Sequence, residues 1–204
     1  MSSASLAASL LVGLTRLITG VQVRWAGCEP RVCQRLYYAN HSSHLDTIVI
    51  WSALPSALRN HTAPVAAADY WECSRLRRFL AREVFHAVLI NRGAGARDAL
   101  ARISAALSLG NSLIFFPEGT RGNGATVGEL KAGLYHIARD HPMIELVPVY
   151  LQNLNRILPK GEILPVPLVG NATFGAPLPR VADESREDFL RRARAALVEL
   201  GDKR

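Results

Sequence analysis

Lysine is almost missing from this chain: Lys131, Lys160 and Lys203 are its only three, so arginine supplies nearly all of the 24 basic residues. Cysteine is equally sparse. Cys28, Cys33 and Cys73 form no metal-ligand spacing, and their odd number fits a reducing compartment better than a disulfide framework. Charged residues make up only 20% of the chain against 49% hydrophobic, which excludes a disordered polyelectrolyte. No apolar run reaches the roughly 20 residues that a membrane-spanning helix needs. The longest candidate, residues 6–20, carries Thr15 and Arg16 inside it. There is no evident secretory cleavage site, no internal repeat and no linker-like boundary. No G-x-S-x-G string occurs, so a covalent serine mechanism is not indicated. The stretch Asn91-Arg92-Gly93-Ala94-Gly95 could form a phosphate nest before a helix, but it lacks the dinucleotide fingerprint. No nucleic-acid recognition motif accompanies the positive charge, so no nucleic-acid partner is expected.

What is present fits one domain of 204 residues, long enough to bury a real core. The formal net charge of +7 favours anionic partners: phospholipid surfaces, phosphorylated metabolites, coenzyme A or acidic carrier proteins. Residues 1–20 read as an apolar N-terminal segment. It either lies in a membrane interface with its apolar face down or packs on the core. Residues 21–204 form the remaining unit. Short apolar runs at 21–25, 35–39, 65–68, 87–90, 112–116 and 146–151 read as strands, with a last extended segment at 172–176. Helices are expected at 45–58, 72–82, 95–109, 129–140 and 185–200, and the proline-rich stretch 158–167 reads as an irregular excursion. Strands alternating with helices predict a single α/β domain with a mixed, mostly parallel sheet flanked by helices.

The string NHSSHLD at residues 40–46 places His41 five positions before Asp46 at the end of a buried strand. An alcohol does not ionise unaided near neutral pH, and a histidine can take its proton as it attacks a carbonyl. A carboxylate on the other ring nitrogen fixes the tautomer and stabilises the imidazolium. Five residues along a continuous helix turn through about 500°, which would separate the two side chains. They meet if His41 lies on the loop and Asp46 in the first helical turn. A metal site formed by His41, His44 and Asp46 is the rival reading, although no later cluster completes it. A third possibility is a polar helix-capping loop with incidental histidines.

The second string, FPEGTR, occupies residues 116–121 after a strand that Pro117 terminates. Gly119 permits a tight turn with exposed backbone donors. Arg121 offers a planar fork for phosphate oxygens, and Thr120 can add a donor. Glu118 can orient Arg121 or bind hydroxyls of an acceptor; the alternative is a surface turn with a Glu118–Arg121 ion pair. Four arginines between residues 75 and 82 suit headgroups, coenzyme A phosphates or a plain solvated face.

In this order and spacing the strings resemble the glycerolipid acyltransferase family, with a glycerol-3-phosphate acyltransferase-like fold implied. NHSSHLD is similar to its first motif, FPEGTR to its third, AVLINR at 87–92 to its second, and VPV at 147–149 to its fourth. The resemblance implies that His41 and Asp46 are catalytic, and that Arg92, Glu118, Gly119, Thr120 and Arg121 bind the acceptor. Asn91 departs from a frequent aspartate. The implied reaction moves a fatty acyl group from acyl-CoA or acyl carrier protein to a lysophospholipid such as lysophosphatidate. It needs no metal or other cofactor, and it takes place on an anionic membrane surface at its cytoplasmic face. A metal-dependent hydrolase and a noncatalytic lipid-binding protein are the alternatives.

Overall fold

Apolar side chains alternate along the strands, and this decides which layer each residue feeds. The computed structural model describes residues 3–158, 166 and 168–202. Most of the expected excursion at 158–167 therefore lies outside the described residues, as do Lys160 and Lys203. The helices are α1 (Ser3–Thr19), α2 (Asp46–Ala53), α3 (Ser56–Arg59), α4 (Ala68–Trp71), α5 (Arg75–Phe79), α6 (Gly95–Ser108), α7 (Gly133–Asp140), α8 (Leu154–Ile157) and α9 (Arg186–Asp202). The strands are β1 (Gln22–Ala26), β2 (Arg35–Ala39), β3 (Thr62–Ala67), β4 (Val88–Ile90), β5 (Ser112–Phe115), β6 (Glu145–Gln152) and β7 (Asn171–Gly175).

They form one seven-stranded sheet in the order β1-β7-β6-β2-β5-β3-β4. Every pairing is parallel except β6 with β7. The sheet is thus mixed and mostly parallel, as the alternation of elements predicts. Along β2, Leu36 and Tyr38 enter the core shared with α6, α7 and α9, while Tyr37 and Ala39 enter the core shared with α1 and α2. From β2 the chain runs to β3 and β4 on one side, and it returns to the other side with β6. Clefts at the carboxyl ends of strands, at such a reversal of order, are where open α/β sheets bind ligands.

Three helix boundaries differ from the sequence reading, each for a local reason. The helix expected over 45–58 ends at Ala53, because Leu54 precedes Pro55 and takes an extended ψ of 139°. The helix expected from 129 begins at Gly133, because the Lys131 amide is drawn away to Pro117 O at 2.9 Å. The segment 72–82 divides into α5, capped by Ser74, and a π-helical turn at Leu80–Val84. Strand β3 also starts earlier, at Thr62, and tolerates Pro64 because pairing with β4 begins only at Val65.

Helix α1 has two apolar faces. Ala7, Ala8, Leu11 and Val12 pack against the core, while Leu6, Leu10, Leu14 and Leu17 stand exposed along the opposite side. None of the described helices is long and apolar enough to cross a membrane.

Candidate active site

Strand β2 hands its chain to the site through Asn40. The buried side chain of Asn40 donates to Leu151 O at 2.9 Å and accepts from Leu151 N at 2.8 Å. It thereby extends the β2–β6 ladder by one residue before the chain turns out over the sheet edge. The loop that follows folds back on Asp46, the first residue of α2, which is fully buried. Its Oδ2 accepts from Ser42 N at 2.6 Å and Ser43 N at 2.9 Å, and it meets His41 Nδ1 at 2.8 Å. Two backbone donors thus hold the carboxylate oxygen in place independently of the imidazole. With Nδ1–H directed at Asp46, the Nε2 lone pair is the one able to accept a proton. The His41 ring is stacked on Phe116, centroids 4.2 Å apart. Asp46 Oδ1 is buried and has no hydrogen-bond partner among the described residues.

The FPEGTR loop follows β5, the neighbour of β2. Its Glu118 is buried and points inward: Oε1 accepts from His41 N at 3.0 Å and Oε2 from Gly128 N at 3.3 Å. The sequence reading has Glu118 orient Arg121 or contact the acceptor; in the structure both of its oxygens accept from backbone amides. Here its two oxygens bind amides of the catalytic loop and of the 122–128 loop. Gly122 N completes the lacing by donating to His41 O at 2.8 Å. Burial pushes the Glu118 carboxyl above its ordinary value, against the pull of the His41 and Gly128 amides. A Cβ on Gly128 would fall 2.6 Å from Glu118 Oε2, so a larger residue there would have to displace the Glu118 carboxylate. Gly119 takes a positive φ of 72°, and a Cβ on it would fall 2.8 Å from Lys131 Nζ. Gly119 and Thr120 are exposed and Arg121 is half-buried.

His44 does not join His41 and Asp46 as a ligand set. Its ring stacks on Tyr70, centroids 4.9 Å apart and 17° from coplanar. Among the described residues, no group of three histidine, cysteine or acidic side chains is placed to hold a metal ion. Burial lowers the His44 pKa, and the charges of Arg121, His41 and Arg77 lower it further. Arg77, on α5, lies over the Tyr70 ring with its guanidinium carbon 4.4 Å from the centroid. Arg92 follows β4, the outermost strand on this side, and forms an exposed ion pair with Asp69 at 3.3 Å. The structure thus gathers His41, Asp46, Glu118 and Arg121 at the carboxyl ends of adjacent strands, and it leaves Arg92 at the rim. Sequence reasoning missed the structural part played by Asn40, and it did not connect Arg77, one of the four arginines between residues 75 and 82, with Tyr70. Only their spatial meeting at His44 connects them to the site.

A base paired with a carboxylate, beside a loop of arginine and glycine and without a serine elbow, suits transfer to a hydroxyl supplied by the acceptor. The acyltransferase family model matches residues 30–152, well over half of the chain, so the chain belongs to that family and is an acyltransferase. Among solved structures, it is similar to the 1-acyl-sn-glycerophosphate (LPA) acyltransferase PlsC from Thermotoga maritima. The two share 20% sequence identity and superpose with a TM-score of 0.75 over 100% of this chain and 85% of that one, a likeness of fold. No curated protein sequence matches the chain significantly.

Proposed function

We propose that the enzyme is an O-acyltransferase of phospholipid biosynthesis, which moves a fatty acyl group from an acyl thioester to the free hydroxyl of a lysophospholipid. Lysophosphatidate is the acceptor favoured, giving phosphatidate; the name of the PlsC structure and the place of Arg121 next to Gly122, whose amide donates to His41 O, support it. The observation that carries the mechanism is the buried Asp46 carboxylate, held by two backbone amides and aimed at His41 Nδ1.

In this scheme, His41 Nε2 takes the proton of the acceptor hydroxyl as the oxygen attacks the thioester carbonyl. Asp46 stabilises the resulting imidazolium. The tetrahedral intermediate collapses with loss of the thiolate, which recovers the proton from His41. Arg121 and Thr120 bind the acceptor's phosphate, and Gly119 lets the backbone approach it closely. Arg92 is an outer arm, since its exposed pair with Asp69 costs little to open. Glu118 acts through the backbone by fixing the loop that carries His41. Acyl-CoA or acyl carrier protein serves as donor substrate, and the scheme uses no further cofactor. The exposed leucine face of α1 rests on the anionic cytoplasmic leaflet, where the acceptor resides.

The test is an acyl-transfer assay of the purified protein, with both donor types, against a panel of lysolipids that differ in headgroup. Phosphatidate formed from lysophosphatidate is the expected product. Transfer confined to acceptors without a phosphate monoester would refute the assignment, and hydrolysis of thioester or lipid with no acyl product would refute the reaction class.

A further inference from the structure

Helix α9 carries no part of either motif, yet one of its side chains reaches the loop that binds Glu118. Its buried Phe189, Ala193, Leu197 and Leu200 recur at helical spacing and face the core. Tyr38, fully buried on β2, donates its hydroxyl to Ala193 O at 3.3 Å. That bond ties this turn of the helix to the strand that leads to His41. The next residue, Arg194, is exposed and extends to the 122–128 loop. Its Nε donates to Val127 O and to Gly128 O, both at 3.1 Å, and its Nη2 donates to Val127 O at 2.7 Å. The Val127 carbonyl and the Gly128 N–H belong to one peptide group, and that N–H is the donor to Glu118 Oε2. Glu118 Oε1 in turn accepts from His41 N. One continuous run of hydrogen bonds thus joins Arg194, the Val127–Gly128 peptide, Glu118 and the catalytic loop. Val127 itself is buried in the same core as Ala193 and Leu197.

We propose that Arg194 is a positioning residue for acyl transfer, which sets the His41 loop through the Val127–Gly128 peptide and Glu118. The proposal rests on the acyltransferase reading above and adds a residue from outside both sequence motifs. A trans peptide is planar, and its carbonyl and N–H point in opposite directions. Holding the carbonyl from the α9 side therefore aims the N–H at Glu118. Hydrogen bonds in series polarise one another, so a charged donor on the carbonyl makes the opposite N–H a stronger donor. Glu118 depends on that donor, because burial raises its pKa and the His41 and Gly128 amides oppose the rise. Released from Arg194, the peptide can tilt, Glu118 Oε2 loses its partner, and the carboxylate is free to turn away from His41 N. A base acts through its geometry, and a displacement of about 1 Å costs about 10²-fold in rate. Arg194 hydrogen-bonds to neither His41 nor Asp46, so its effect falls on turnover rather than on substrate affinity.

The experiment combines steady-state kinetics of full-length Arg194→Ala, with lysophosphatidate and acyl-CoA varied in turn, with amide hydrogen exchange and urea denaturation of the same preparation. The variant should fold, because the side chain is exposed and its removal leaves no core cavity. Its kcat should fall about tenfold or more with both KM values close to wild type. The His41 and Gly128 amides should exchange faster while those of α9 do not. A merely structural contact would instead lower the urea midpoint and speed exchange throughout α9, with kcat per folded molecule intact, and that result overturns the proposal. Arg194→Lys should recover part of the loss, because an ammonium can reach one carbonyl but cannot fork between two. Arg191→Ala, exposed on the same helix, should leave kcat unchanged and so controls for net charge. Arg194→Ala and Glu118→Gln should be non-additive in kcat, since both act through one run of hydrogen bonds, and additive losses overturn the relay. If the alanine variant does not fold, Arg194→Gln is compared in its place by the same criteria. The exchange measurement needs no substrate, so unaltered exchange at His41 and Gly128 overturns the proposal whatever the reaction. A wild type that forms no acyl product from any lysolipid refutes the reading of the reaction instead, and exchange alone then decides the relay.

Discussion

Replacing Asp46 by asparagine tests the catalytic pair and, at the same time, the way it is built. In a triad whose aspartate loses its charge but keeps its shape, the amide can rotate, donate to the histidine and invert its tautomer, at a cost of about 10⁴-fold in kcat. Here the oxygen that faces His41 also accepts from the Ser42 and Ser43 amides. Placing an NH2 group at that position would set it against two N–H donors. The asparagine should therefore keep its oxygen at the Oδ2 position and turn its NH2 into the Oδ1 position, where no partner waits. The tautomer survives and only the charge is lost. A hydrogen bond to a charged group contributes about 1.5–3 kcal/mol and a neutral one about 0.5–1.5, so the difference of about 1–2 kcal/mol predicts a kcat lowered about 5- to 30-fold. The buried, unpaired NH2 should also cost about 1–3 kcal/mol of folding stability. Steady-state kinetics with both substrates saturating, and urea denaturation of the same preparation, measure the two effects. Wild-type turnover in the folded variant would remove Asp46 from the mechanism. A loss near 10⁴-fold would show that the two amides do not hold the oxygen, and it would refute the reasoning from geometry.

The other predictions are more direct. His41→Ala should lower kcat by about 10²–10⁴-fold in a protein with a wild-type melting curve, the range set by removal of a positioned base. Glu118→Gln turns an NH2 group toward one of the two amides that the carboxylate serves, so stability should fall by about 1–3 kcal/mol and the Gly128 amide should exchange faster. Because burial raises the folded Glu118 pKa, the stability linked to its proton is complete below the unfolded value and is lost as pH rises through the folded one. The advantage of wild type over Glu118→Gln in urea should accordingly shrink as pH rises above the ordinary glutamate range, and an advantage that grows would contradict the sign. Exhaustive chelation should leave acyl transfer intact; activity lost and then restored by zinc or manganese would favour a metal at His41, His44 and Asp46. Replacing exposed Leu10 and Leu17 together by serine should weaken co-sedimentation with anionic vesicles by about tenfold or more, since each leucine gains roughly 1.5–3 kcal/mol when fully buried.

The α/β class and nearly every element of the sheet were legible in the sequence, because strand periodicity and helix periodicity are local properties. The closeness of His41 and Asp46 was legible as a condition: a loop residue and a first-turn residue can meet, and β2 and α2 supply that loop and turn. The early end of α2 could also have been read from Pro55. Other features could not be read in this way. Glu118 looked like a ligand-facing turn residue because sequence spacing carries no direction. It points inward because the His41 and Gly128 amides, one on each flanking loop, need acceptors once the loops close over it. In the sequence Arg77 suited headgroups, coenzyme A phosphates or solvent alike, and with Tyr70 it reaches His44 only because β3 lies one strand beyond β5, which brings α4 and α5 to the edge where β2 ends. Sequence by itself determined the chemical groups and the local elements that carry them. The strand order decided which of those groups share a site, because residues far apart in the chain meet only through the pairing of the sheet, and that pairing depends on cores built from both of its faces.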